Sequence, residues 1–254
     1  MSQEPVDDPV RTAVADGVAT LTLDAPGNRN ALSARLVAGL YAALERAEAD
    51  PGTRAVLLTH TGGTFCAGAD LKEAREGTAA PLSLAALLRT VVAFPKPVIA
   101  RVTGHVRAGG TGLLAACDIA VAGPGATFAF TEARLGLAPA VISMPVLPRV
   151  DARAAARYFL TGERFGPAEA ARIGLVTLAA DEVDAALEPV LDGLRRGSPQ
   201  GLAESKKLVN REVLETFAQQ TDELAALSGR LFGSEEAREG MTAFLERREP
   251  RWVP

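Results

Sequence analysis

Two small-residue segments and one glutamate are the places where this sequence could do chemistry. In Phe65-Cys66-Ala67-Gly68-Ala69-Asp70 the side chains are small enough for a ligand to reach the backbone. Amides exposed at a helix start attract negative charge, although the same residues would serve an ordinary strand-to-helix turn. In Gly104 to Gly112 (GHVRAGGTG) glycines again stand between a strand and a helix. Gly110, Gly112 and Ala115 satisfy the dinucleotide pattern G-x-G-x-x-A, with Glu132 at the distance of a ribose contact. That reading fails on length. The helix must end before Asp118, whereas a nucleotide-binding unit spans ~30 residues. A glycine-rich helix start without that unit is better suited to holding an oxyanion.

Glu132 ends the run Phe128-Ala129-Phe130-Thr131-Glu132. Among phenylalanines a carboxyl is desolvated and its pKa rises toward the range useful for proton transfer. The simpler alternative is a surface glutamate paired with Arg134 or Arg153. His60 and His105 each end or follow an apolar strand, where histidines are mostly structural. No G-x-S-x-G nucleophile elbow occurs to give either a serine partner.

These segments need a scaffold, and the apolar spacing predicts one. Val14, Val18, Leu21 and Leu23 flank Asp16-Gly17 and predict a hairpin from Val10 to Leu23. Leu36, Val37, Leu40, Tyr41, Leu44 and Ala47 follow helical steps behind Ser33 as a cap. Arg54 to Thr59, Val98 to Val102 and Ile119 to Ala122 read as buried strands, with helices at Leu82 to Phe94 and up to Cys117. This alternation predicts an α/β core with parallel strands. From about Asp151 only helices are expected. Pro167 and Pro199 suit first turns, and Gly174 suits a left-handed stop. Leu187, Val190, Leu191 and Leu194 form one late apolar face, and Leu224, Leu227 and Leu231 another. The expected division is a core over 1–200 and a helical region over 201–254.

The 254 residues allow one large domain or one domain with a small appendage. A net charge of -4 argues against a nucleic-acid binder, which would need a basic face, but leaves room for a local basic pocket for a phosphorylated ligand. No apolar run approaches the ~18 residues of a membrane span, and MSQEPVDDPV lacks the pattern of a secretory signal. Cys66 and Cys117 make neither a disulfide framework nor a metal quartet, so no metal is expected. A cytoplasmic enzyme needing no separate cofactor is the expectation.

Six ordered segments together resemble the crotonase, or enoyl-CoA hydratase/isomerase, superfamily. They are Asn30-Ala31-Leu32, TFCAGADLKEA from Thr64, KPVIARVTGHVRAGGTGLLAACDIAVA from Lys96, FAFTEARLGLAP from Phe128, LTGERFGPAEAARIGLV from Leu160 and EEAREGMTAFLERREP from Glu235. The resemblance implies a spiral of ββα units with a C-terminal helical region that makes a trimer or a dimer of trimers. It implies an acyl-CoA thioester substrate, with coenzyme A entering as part of that substrate. The amides of Ala69 and Gly109 would form an oxyanion hole, and Glu132 would be the acid/base. Ala67, Gly68, Asp70, Leu71, Lys72, Gly110 and Gly112 would surround the substrate. Lys72, Arg247 and Arg248 are nominated for its phosphates, against the alternative of a solvated charged face.

One departure stands out. Typical hydratases of the family carry a first glutamate three residues beyond the position of Gly109, and Gly112 stands there. Glu132 would then make both proton transfers of a hydration. Alternatively the enzyme is a Δ3,Δ2-enoyl-CoA isomerase needing one base, or the chain is a non-catalytic acyl-CoA-binding protein. GLAPAVIS (Gly136 to Ser143) is similar to a branch resembling methylglutaconyl-CoA hydratase. The stretch from Arg75 to Leu88, with Gly77, Thr78, Ala79, Ala80 and Pro81, is expected to shape the acyl pocket as a mobile loop.

Overall fold

A computed structural model describes residues 8–75 and 81–254. Gly77 to Ala80, part of the expected pocket loop, lie outside the described residues, and Pro81 opens a helix.

The chain winds through repeated β-β-α units. The first is β1 (Val10–Ala15), β2 (Val18–Leu23) and α1 (Ala34–Ala49). The second is β3 (Ala55–His60), β4 (Thr64–Cys66), α2 (Leu71–Arg75) and α3 (Pro81–Ala93). The third is β5 (Val98–Val102), β6 (His105–Arg107) and α4 (Gly109–Ala116), and the fourth is β7 (Ile119–Ala122), β8 (Phe128–Ala129) and α5 (Ala140–Val146). There follow α6 (Ala152–Thr161), α7 (Pro167–Arg172), β9 (Leu178–Ala179), α8 (Val183–Arg196), α9 (Pro199–Val209), α10 (Arg211–Phe232) and α11 (Glu235–Glu246).

From the second unit on, the two strands of each unit part company. The first joins a six-stranded sheet in the order β1-β2-β3-β5-β7-β9, parallel apart from the β1–β2 hairpin. The second joins a small parallel sheet, β4-β6-β8. The hairpin turns where expected, with Asp16 at φ 48 and Gly17 at φ 75. Ser33 caps α1 by accepting from the Leu36 amide at 3.3 Å.

The stretch after Asp151 is not purely helical, because β9 pairs with β7 there. Two residues are too few to show an alternation of apolar and polar side chains. Its backbone bonds identify it: the Thr177 amide donates to Ala120 O and the Ala180 amide to Ala122 O.

One face of the large sheet packs Val18, Ala55, Ile99 and Val121 against Val183, Leu187 and Leu191 of α8. The other face joins the main core, where α4 is buried along its whole length. Along α10, contacts run to α3 and α5. A buried ion pair anchors this late region, Lys206 Nζ to Asp118 Oδ2 at 2.8 Å. Asn210 donates to Asp118 Oδ1 and accepts from Arg149, both at 2.7 Å, so α9 and α10 are tied to the α4–β7 turn. A partner shared by several donors in this way is costly to remove, because each would be left buried and unpaired.

Candidate active site

The small sheet builds the site. Strands β4, β6 and β8 are parallel neighbours, so their carboxyl ends share one edge, where ligands of open α/β sheets bind. From β4 the chain enters Ala67-Gly68-Ala69-Asp70. From β6 it passes through Ala108 into α4 at Gly109. From β8 it reaches a 3-10 turn, Glu132–Leu135. Each strand therefore delivers one element of the proposed chemistry to the same edge.

Close contact between Gly68 and Gly109 sets the two amides side by side. A methyl on Gly68 (φ 89) would lie 2.9 Å from Gly109 N and 2.9 Å from Ala108 Cβ. Ala69 N lies 3.5 Å from the point where a Gly109 Cβ would stand. Neighbouring amides are engaged: Ala67 N donates to Arg29 O and Ala108 N to Ala129 O, both at 3.1 Å. Among the described residues, no hydrogen bond takes up the N–H of Ala69 or of Gly109. Two adjacent unengaged donors are what an oxyanion requires. Ala108 holds φ 46 and ψ -124, a conformation natural to glycine and strained for alanine, at the residue that turns β6 into α4.

Asn30 fixes the first donor's loop. It is fully buried at φ 53. Its Oδ1 accepts from Ala25 N at 2.7 Å, and its Nδ2 donates to Thr61 O at 3.1 Å and Thr64 O at 2.8 Å. Two residues on, Leu32 N donates to Gly68 O at 2.8 Å. Asn30→Ala is expected to lower stability by about 2–4 kcal/mol, read from the urea midpoint, since one amide and two carbonyls would be left unpaired.

Glu132 is buried, and its Oε2 has no hydrogen-bond partner. The surface pairing with Arg134 does not form, because Arg134 Nε donates to Thr161 O at 2.8 Å. The preceding Phe128 and Phe130 are fully buried in a ring cluster with Tyr158, Phe159 and Phe165. Burial pushes the Glu132 carboxyl up to about 7. The last helix clamps its turn: a methyl on Gly136 would meet Glu236 C at 2.6 Å, and one on Gly240 would meet Leu135 C at 2.5 Å.

The other nominated residues are placed as follows. Ala67 and Leu71 are half-buried, and Leu71 packs beside Ala237 and Met241 of α11. Asp70 caps α2, accepting from Lys72 N at 2.9 Å. The Lys72 side chain is exposed beside the first donor's loop. Gly110 lies against the Cys66 carbonyl, too close for any side chain. Gly112 faces Ile142 and Leu88. Arg247 ends α11 at φ 56 and is exposed. Arg248 is engaged with Glu239 at 2.6 Å and Glu246 at 2.8 Å, which hold its guanidinium above the ordinary range. His60 is structural: its Nε2 accepts from Thr103 N at 3.2 Å, and burial lowers its pKa. Among the described residues no His/Cys/Asp/Glu group could hold a metal ion, and no helix is long and apolar enough to cross a membrane.

Sequence reasoning missed the strain at Ala108 and the closure beyond Gly112. Both depend on backbone approach between segments far apart in the chain.

The same architecture recurs in known proteins. A family model described as enoyl-CoA hydratase/isomerase matches residues 13–253. A solved enoyl-CoA hydratase from Mycobacterium avium superposes with a TM-score of 0.92 at 53% identity, covering 98% of this chain and 100% of that one. A Thermus thermophilus relative whose name assigns it to the enoyl-CoA hydratases is 35% identical over 246 residues, 92% of this chain and 97% of its own length. Enoyl-CoA hydratase EchA19 of Mycobacterium tuberculosis is 33% identical over 249 residues, 91% of each chain. The chain belongs to the enoyl-CoA hydratase/isomerase family and is an enzyme of that type.

Proposed function

We propose that the enzyme adds water across the double bond of a 2-enoyl-CoA thioester with Glu132 as its one acid/base. The observation that carries this reading is the pair of adjacent, unengaged amides at Ala69 and Gly109, on the sheet edge that also bears Glu132. As a carboxylate, Glu132 takes a proton from water while the water oxygen bonds to the β-carbon. The displaced electron pair moves through the α-carbon to the thioester oxygen, where the two amides stabilise the enolate. Glu132 then returns the proton to the α-carbon. One molecule of water has been added, and the carboxylate is restored.

Lys72 and Arg247, both exposed, are the cations proposed for the coenzyme A phosphates, since Arg248 is engaged by two glutamates. Exposed Leu160, Leu208 and Val209 support assembly into a homotrimer or dimer of trimers, and a cytoplasmic location is part of the same reading.

A second reading, Δ3,Δ2-enoyl isomerisation, draws on the apolar closure beyond Gly112, because that reaction needs one group to shuttle a proton. Heavy-oxygen water separates the two. Crotonyl-CoA and a 3-enoyl-CoA are each incubated with the enzyme and the products weighed by mass spectrometry. Labelled 3-hydroxyacyl product supports hydration. A 2-enoyl product from the 3-enoyl substrate, without label, moves the assignment to isomerisation.

A further inference from the structure

Position 112 lies three residues after Gly109 on α4, hence on the helix face that continues from the second oxyanion donor. The Cβ direction at Gly109 points to Gly68, Ala69 and Leu32. One turn further, the corresponding direction at Gly112 is closed. A methyl there would come within 2.5 Å of Ile142 Cγ2, 2.8 Å of Ile142 Cβ and 3.2 Å of Leu88 Cδ1. Both side chains are buried, Leu88 on α3 and Ile142 on α5. Ile142 is branched at Cβ and packed among neighbours, so it has little freedom to swing away.

The rest of α4 offers no proton-handling side chain. Its one polar residue, Thr111, donates its hydroxyl to Ala108 O at 2.6 Å. Asp70 and Glu73, the carboxylates beyond β4, accept backbone amides at Lys72 and Ala34. Among the described residues, Glu132 is the carboxylate at this edge that is buried with an unpartnered oxygen, Glu163 being ion-paired with Arg157.

We propose that Ile142, backed by Leu88, is a specificity-determining residue: it seals the α4 face beside the oxyanion donors and restricts the site to chemistry run by a single carboxylate. This rests on the reading of Glu132 as the acid/base. The segment Gly136 to Ser143 then has a definite role, since it brings the Cγ2 methyl and Cβ of Ile142 against the glycine of α4. Gly112 and Ile142 act as a pair, and neither can change toward a second acid/base without the other.

The test uses Gly112→Glu, Ile142→Gly and the double variant, with melting temperature and the pH dependence of kcat as separate readouts. Gly112→Glu alone is expected to melt about 10 °C or more below the wild type, because it forces both a collision and a carboxylate into a packed core. Ile142→Gly alone also destabilises by leaving a cavity, and the double variant is expected to melt well above what the sum of the two single losses would give, because each change makes room for the other. The double variant is expected to show a second ionisation in kcat where the wild type shows one. Gly112→Glu melting within about 2 °C of the wild type would overturn the sealing. A well-folded double variant with a single ionisation would show that position 112 does not face the reaction. If the wild type incorporates no heavy oxygen, the hydration reading fails. The melting comparison is unaffected, and the pH profile is then taken on 3-enoyl isomerisation.

Discussion

Glu132→Gln is expected to lower kcat on the true substrate by about 100-fold or more, with little change in KM, since a positioned acid/base is removed while the amide keeps the shape of the side chain. Unchanged turnover would remove Glu132 from the mechanism. With its carboxyl near 7, wild-type kcat for hydration is expected to rise with pH through about 7 and then level, because the carboxylate form takes the proton from water. The same variant should be the more stable protein above neutrality. Burial raises the folded pKa from 4.5 to about 7, so the folded state binds the proton more tightly than the unfolded chain. The stability this gives is present below about pH 4.5 and is lost as pH rises through about 7. At pH 8 the wild type carries a buried charge, at a cost of up to ~3 kcal/mol, that the neutral amide of the variant avoids. Melting curves at pH 5 and pH 8 test the sign: the variant should gain at pH 8 and not at pH 5.

Gly109→Pro is expected to lower kcat by about 100- to 1,000-fold through loss of one donor to the enolate oxygen. Gly109 opens α4, and the first helical position is where proline is tolerated, because its N–H bonds nothing within the helix. Gly109→Ala is the control. Its Cβ would meet Gly68 Cα at 3.4 Å and Ala69 N at 3.5 Å, a tight but ordinary fit, and the amide is retained. Similar losses in both variants would assign the effect to crowding and overturn the role of the amide. A selective loss in the proline variant, with melting preserved, would support it.

Much of this fold was legible because its strands are short apolar runs closed by punctuation that can be read residue by residue. Val98 to Val102 and Ile119 to Ala122 are buried but for the half-buried Arg101 and Ile119, and Asp16-Gly17, Ser33, Ser198 and Gly174 mark turns and ends by known backbone preferences. The small sheet was harder to read. Strands β4, β6 and β8 have two or three residues each, and only their mutual pairing defines them. The partly legible site follows the same division. Glycines at 68, 109 and 110 announce close backbone approach, but which segments approach is a property of the assembled spiral. The environment of Glu132 could not be decided locally, since Arg134, two residues away, is drawn to Thr161 in another element. Lys206 is a stronger example. A charged residue on a polar helix is expected in water, yet it is buried on Asp118, which stands far earlier in the chain.

The clamp of α11 on the Glu132 turn has a consequence for when the enzyme becomes one. Residues 235–246 press on Leu135 and Gly136 from almost the far end of the chain. During synthesis the spiral emerges first and can fold as it appears. The turn bearing the acid/base stays uncovered until α11 leaves the ribosome and docks. Because α11 also packs Ala237 and Met241 against Leu71, beside the first donor, its docking closes the anion-binding and the proton-handling sides of the site in one step.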